Sequence, residues 1–229
     1  MIRSAGPARK PLAIDAPTAV SVLVRILTRG PIARIDVTRQ LRLSAASVTK
    51  AVATLMDHGL VTMAEDQTVA PTSPGRPARA LRVVPESLLA VGVSVSAGRL
   101  VATVTTLRAG VLHVVEDSVS GSSPGELCVA ISRAVRDLRG QLGDRAARIG
   151  GIGVAVDGPP DDGFETMVRA EFDGERVLVV NAMHAQALTE EWFGAAVGLG
   201  TFAVVSVGPQ VRCAVFANGG IVTGPHGDG

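Results

Sequence analysis

Apolar residues recur at helical intervals through the first sixty positions, then give way to short β-type runs. Behind Pro17, a residue suited to the first position of a helix, Val20, Leu23, Val24 and Leu27 repeat every three or four residues until Gly30-Pro31 stops the pattern. A second helix is predicted from Arg34 to Leu41, with Ile35, Val37 and Leu41 apolar, and the turn Arg42-Leu43-Ser44 follows. A third runs to about His58, with Val48, Val52, Leu55 and Met56 facing inward and Gly59 as a left-handed C-cap. Ser44 is its N-cap, since the hydroxyl can accept a backbone N–H near Ser47. Leu60–Met63 then reads as a strand, Glu65–Ala70 as a turn or loop with Asp66-Gln67 at its tip, and Ala80–Val83 as a returning strand. The segment TSPGRPAR, residues 72–79, lies before that return.

From Leu89 onward the pattern changes. Leu89–Val95, Leu100–Leu107 and Gly110–Val115 are β-rich runs joined by short turns, which predicts a meander. Ser123-Pro124-Gly125-Glu126 is a capping box with Pro at the first helical position, and Leu127, Ile131, Ala134, Val135 and Leu138 make one stripe on a helix to about Leu142. Ile149–Val156 and Val177–Val180 read as buried strands. Asn181 caps a helix holding Ala187, Leu188 and Trp192, and Phe202–Val207 and Val211–Phe216 form a hairpin-like pair. This succession describes a ribonuclease-H-like α/β lobe over 86–229, behind a helical module over 14–85, an α+β chain overall.

Charge separates the two parts. Residues 1–83 carry 12 Lys and Arg against 5 Asp and Glu, a balance of +7, whereas residues 84–229 balance at −6. A basic module on an acidic one points to a nucleic-acid partner for the first alone. Aromatic residues are 3% of the chain and Tyr is absent, which argues against stacking on single strands and leaves the duplex. Cys128 and Cys213 are isolated and read as two inert core thiols, with no disulfide framework and no zinc site. Asp157, Asp161 and Asp162 read as a solvated acidic loop rather than a metal centre. The start of the chain lacks the apolar core of a signal peptide, and Leu88–Leu107 is broken by Arg99 and by Ser and Thr, so a cytoplasmic protein with no membrane partner is expected.

In the basic module the third helix opens with small, hydroxylated and cationic residues: Ala45, Ala46, Ser47, Thr49 and Lys50 behind Ser44. Small side chains let a helix approach base edges, while hydroxyls and an ammonium reach phosphates and bases. Gly75 and Pro77 fix the backbone around Arg76, so that a wing could place its guanidinium in a minor groove. The DNA-facing set is therefore Arg34, Ser44, Ala45, Ala46, Ser47, Thr49, Lys50, Gly75, Arg76 and Pro77.

The order of these segments resembles the ROK family (repressors, open reading frames, kinases), whose regulators join a winged helix-turn-helix to a sugar-kinase-like, actin-like domain. GPIARIDVTRQLRLSAASVTKAVATLMDHGLV resembles its DNA-reading segment and Gly75-Arg76-Pro77 its wing. LLAVGVSVSAGRLVATVTTLRAGVL is similar to its first phosphate hairpin, GIGVAVDGPPDDG to its GxGxxxPGPxD-type strand and loop, VNAMHAQALTEEWFG to its ENDANAAALGE-type helix, and VVSVGPQVRCAVFANGGIVTGPHGDG to its second glycine-rich hairpin. The resemblance implies a transcriptional regulator on double-stranded DNA, a homodimer and a sugar effector.

The departures from the family pattern fall mainly in the lobe. Kinase members use the Asp of NDAN as general base; here that position is Ala182, whose methyl group cannot accept a proton, and His184 replaces the second Asn. The DxGGT loop is Ser94-Val95-Ser96-Ala97-Gly98, and the GTGIGAG loop is Gly208-Pro209-Gln210-Val211-Arg212-Cys213-Ala214, whose side chains would fill the space of a phosphate. The family's sugar-ligating Glu and His and its zinc motif would fall beyond Gly229, and the stretch from Pro160 to Val180 is short for a sugar-covering loop. In the DNA half, Arg42 replaces a turn Gly, at about 1 kcal/mol if left-handed, and Ala33 a better N-cap, at about 1 kcal/mol. The expectation is a non-enzyme with no catalytic residue, cofactor or metal. The competing readings are a sugar-sensing or interaction protein without DNA binding and, less favoured, a sugar kinase.

Overall fold

The computed structural model describes residues 16–69, 78–158, 162–208 and 211–223. It divides into two compact units, Met1–Val84 and Pro85–Gly229.

In the first unit α1 (Pro17–Arg29) has Pro17 at its start and no side-chain cap. Gly30 ends it where a Cβ would sit 2.3 Å from the Ile26 carbonyl oxygen, a separation only glycine tolerates. The buried residues of α1 are Ala19, Val22, Ile26 and Leu27, and Val20 is 43% exposed, so the stripe through Val20, Leu23 and Val24 is corrected by a small rotation of the helix. Two apolar stripes overlap on this helix, where Val20, Val22, Leu23, Val24, Ile26 and Leu27 crowd together, and spacing alone does not choose between them. A two-residue strand β1 (Ile32–Ala33), absent from the sequence reading, pairs antiparallel with a later strand. Then come α2 (Arg34–Leu41) and α3 (Ala45–Asp57). Val22, Ile26, Val37, Val48, Val52 and Leu55 are fully buried, and the helix-spaced residues of α3 form much of this core.

Gly59, at φ +70°, turns the chain into β2 (Val61–Val69), which pairs antiparallel with β3 (Ala78–Val83) in a sheet ordered β1-β3-β2. The register Val61↔Val83 to Met63↔Leu81 breaks and resumes at Thr68↔Arg79 and Val69↔Ala78. Glu65–Val69 is therefore strand, not the loop expected from its polar residues. A hairpin arm held by ladder hydrogen bonds needs no apolar face, so hydropathy did not mark it. Gly75, Arg76 and Pro77, with the rest of 70–77, lie outside the described residues.

In the second unit β4 (Leu89–Ser96), β5 (Arg99–Thr106) and β6 (Val111–Ser118) form the antiparallel meander. β7 (Ile149–Val156) and β8 (Val177–Asn181) add in parallel, giving the order β6-β5-β4-β7-β8. α4 (Pro124–Leu142) carries the expected capping box, with Glu126 held below its ordinary pKa by hydrogen bonds from the backbone and hydroxyl of Ser123. α5 (Asp162–Glu171) occupies what read as an acidic loop and a shortened connection; Phe164 and Val168, four residues apart, are its buried face. Leu89, Val91, Leu100 and Val104 pack with Ile131, Val135, Leu138 and Val168 in the main core.

α6 (Ala182–Phe193) is capped by Asn181, whose Oδ1 accepts the Met183 N–H at 2.7 Å. Its Met183 and Ala187 pack with Ala214, Phe202 and Ile221 of a second sheet, β11-β10-β9, formed by β9 (Thr201–Val207), β10 (Val211–Ala217) and β11 (Gly220–Val222). The alternate residues Val205, Val207, Val211 and Val215 are exposed, with Val207 81% accessible. Cys213 shares their phase on β10 and is exposed too, which corrects the reading of two core thiols; Cys128 alone is buried. Among the described residues no helix is long and apolar enough to cross a membrane.

Candidate nucleic-acid interface

The turn between α2 and α3 is built by local bonds. Arg42 takes the left-handed conformation, φ 52° and ψ 38°, and the Leu43 N–H reaches the Thr38 carbonyl at 3.2 Å. Ser44 then caps α3: its Oγ accepts the Ser47 N–H at 3.1 Å and lies 2.8 Å from the Ser47 hydroxyl. The first backbone bond of the helix runs from the Val48 N–H to the Ser44 carbonyl. The Ala45 and Ala46 amides precede it, as the open N–H groups of a helix start. No acidic residue lies in this first turn, so nothing of the chain's own sequence there offsets the positive end of the helix dipole.

Burial sorts the side chains cleanly. Val48 is fully buried, while Ser44, Ala45, Ala46, Ser47, Thr49 and Lys50 are exposed. Six of the ten predicted DNA-facing residues thus share one solvent-facing helix start. Arg34 is half-buried at the start of α2, whereas Gly75, Arg76 and Pro77 lie outside the described residues. Arg79, inside the TSPGRPAR segment but not singled out from sequence, is exposed on β3. Its signal was the second arginine of that segment, which Gly75-Arg76-Pro77 overshadowed.

In the lobe, the ends of β4, β7 and β10 meet through Asp157. Its Oδ2 accepts the Ser96 hydroxyl at 2.9 Å and the Ala97 N–H at 3.2 Å, and its Oδ1 pairs with the Arg212 guanidinium. Arg212 also reaches the Ser96 Oγ at 3.4 Å. Partial burial opposes the charge on Asp157, but Arg212, Ser96 and the Ala97 amide together hold its carboxyl below the ordinary range. Asp157 is therefore tied rather than part of a free acidic loop. No local pattern foretold this, because its partners lie 61, 60 and 55 residues away. Of the other two acidic residues in that reading, Asp162 opens α5 and Asp161 lies outside the described residues. His184 is half-buried in the first turn of α6, two residues after Ala182, and its Nε2 has no hydrogen-bond partner among the described residues. Among the described residues no group of three or more His, Cys, Asp or Glu side chains could hold a metal ion.

No family model matches the chain. It is 32% identical over 127 residues to the uncharacterized protein y4fQ of Sinorhizobium fredii (strain NBRC 101917 / NGR234), a stretch covering 56% of this chain and 32% of that protein. Among solved structures it is similar to a ROK family transcriptional regulator, a homolog of the E. coli MLC protein, with a TM-score of 0.70 and 20% identity over 92% of this chain and 57% of that one. It is also similar to a ROK family glucokinase from Streptomyces griseus in complex with glucose and AMPPNP (TM-score 0.53, 19% identity, 61% of this chain and 48% of that one). A ROK hexokinase from Thermus thermophilus gives a TM-score of 0.51 at 21% identity, over 62% of this chain and 50% of that one. The chain spans about a third of the curated relative and about half of each of these solved chains. The fold of 92% of this chain is like that of the regulator, and that of 61–62% of it is like that of the kinases.

Proposed function

We propose that the chain is a ROK family transcriptional regulator that binds double-stranded DNA through a winged helix-turn-helix over 14–85, and that its lobe over 86–229 does not transfer phosphoryl groups. The observation that carries this reading is the start of α3: a capped helix end with no acidic first-turn residue and exposed small, hydroxylated and cationic side chains. An anion is stabilised at such an end by its open N–H groups and dipole, and a phosphodiester strand presents anions in series. α3 lies in a major groove, and Arg76 reaches a minor groove or a phosphate.

The likeness extends to kinases as well as to a regulator, so the lobe needs its own argument. Ala182 supplies no proton acceptor where the family's base would stand. Ser96 and Arg212, one in each segment that resembles a phosphate loop, bond to each other and to Asp157, so internal partners engage groups that would otherwise meet a nucleotide. The lobe instead serves dimerisation or residual sugar sensing, and the exposed apolar face of β9 and β10, which carries no charged side chain, supports pairing with a second copy. Fluorescence anisotropy of a labelled duplex, titrated across a salt series, tests the DNA reading. The double variant Lys50→Ala, Arg76→Ala should bind more weakly, with its salt slope reduced by about 2, one per lost phosphate contact. An unchanged affinity and slope would remove the assignment. Hexose-dependent release of ADP from ATP by the intact protein would reinstate a kinase.

A further inference from the structure

We infer that an open groove beside the start of α3 seats the deoxyribose and 5-methyl group of a thymidine nucleotide, with the flanking phosphates held by Arg34 and Arg79; the inference rests on the DNA-binding reading above. The groove has a volume of about 470 Å³ and is bordered by Ile35, Ala45, Thr49 and Leu81 together with the two arginines. Ile35 is 71% exposed on the first turn of α2, while Leu81 is 1% exposed, so the groove has an apolar base and an accessible apolar lip. Ala45 and Thr49 are one turn apart on α3 and place two methyl groups along one edge. Alanine and threonine methyls are the side-chain groups that meet the thymine C5-methyl in a major groove.

Charge selects the occupant. Among the described residues no acidic side chain borders the groove. Arg39 is engaged by Asp36, but Arg34 and Arg79 make no ion pair among the described residues. A neutral apolar ligand would leave both guanidinium groups without an anion, and a bare phosphate would leave the isoleucine facing water. A nucleotide strand answers both needs, because its sugar and methyl are apolar and its linkages are anionic.

The test uses the whole chain and two 30-base-pair duplexes of alternating A·T pairs. One carries thymine and the other deoxyuridine at every such position, so that only methyl groups differ. The wild-type chain should bind the uracil duplex about fourfold more weakly for each methyl it reads, the factor for one buried methyl-sized group. Thr49→Ser, which removes one methyl from that edge and keeps the hydroxyl, should weaken the thymine duplex and leave the uracil duplex unchanged, because the side chain is exposed and the change does not disturb the core. Arg79→Gln should weaken both duplexes alike and lower the salt slope by about 1. Equal, tight binding of both duplexes by the wild type would overturn this inference and leave the DNA-binding reading standing. So would an undiminished thymine preference in Thr49→Ser. Binding to neither duplex would overturn the DNA-binding reading itself.

Discussion

The start of α3 and the loop ends of the lobe differ in what their polar groups do. At α3, Lys50 and the Thr49 hydroxyl face solvent and the first amides have no intrahelical acceptor. In the lobe, Ser96, the Ala97 amide, Asp157 and Arg212 bond to one another, with the Arg212 Nε left without a partner among the described residues. A region whose polar groups stand open is arranged to meet something outside the chain; one whose groups are closed on themselves is arranged to hold its shape. The difference teaches that two clusters of polar groups in one chain can be told apart by where their hydrogen bonds go: outward at the start of α3, and largely to one another at the strand ends of the lobe.

Reversing the charge at the open region should have the largest effect. Ser47→Glu places a carboxylate against the phosphates at an exposed position and should weaken duplex binding on the order of 100-fold, since like charges brought together cost several kcal/mol. Its melting temperature should stay near that of the wild type, read by circular dichroism. Next comes the apolar face of the second sheet. Val205→Asp with Val207→Asp should convert a dimer to a monomer in sedimentation, at 58% and 81% exposed positions where neither change enters a core. A monomeric wild type would remove that assignment.

The cap at Ser44 gives a smaller effect. Ser44→Ala leaves the Ser47 amide without its acceptor and should cost about 1 kcal/mol. For a unit of this size that is a fall in melting temperature of about 4–8 °C. The smallest effect is at the closed region. The Arg212–Asp157 pair is partly open to solvent, so Arg212→Ala should cost at most about 1 kcal/mol. Because the folded carboxyl of Asp157 lies below its ordinary value, the stabilisation it provides is complete above about pH 4 and is lost as the pH falls through the folded value. Urea titrations between pH 3 and 6 should therefore show a shallower acid loss in Arg212→Ala than in the wild type.

Much of this architecture was legible because local chemistry wrote it. Pro17, the Ser44 cap, the Ser123 capping box and the Asn181 cap all stand at the element starts their side chains specify. The α3 core face, with Val48, Val52 and Leu55 buried, follows helical spacing. What stayed hidden depended on distant partners. β1 is two residues long and is defined only by Leu81 and Ala80 across the sheet. α5 has one buried pair, Phe164 and Val168, among polar neighbours. The strand through Glu65–Val69 is marked by backbone pairing rather than hydropathy. The sequence-read DNA-facing residues on α3 form one exposed group, since a helix start is a local object. The Asp157–Arg212 closure was illegible because it joins residues 55 apart.

Hydrogen–deuterium exchange on the whole chain, with and without a random-sequence duplex at low salt, tests most directly whether α3 lies against DNA. The Ala45 and Ala46 amides lack intrahelical acceptors, so they should exchange rapidly in the free chain. Added duplex should slow exchange at residues 44–50 and leave the strands of the lobe unchanged. Unaltered exchange at 44–50 under conditions where the duplex is bound would contradict it.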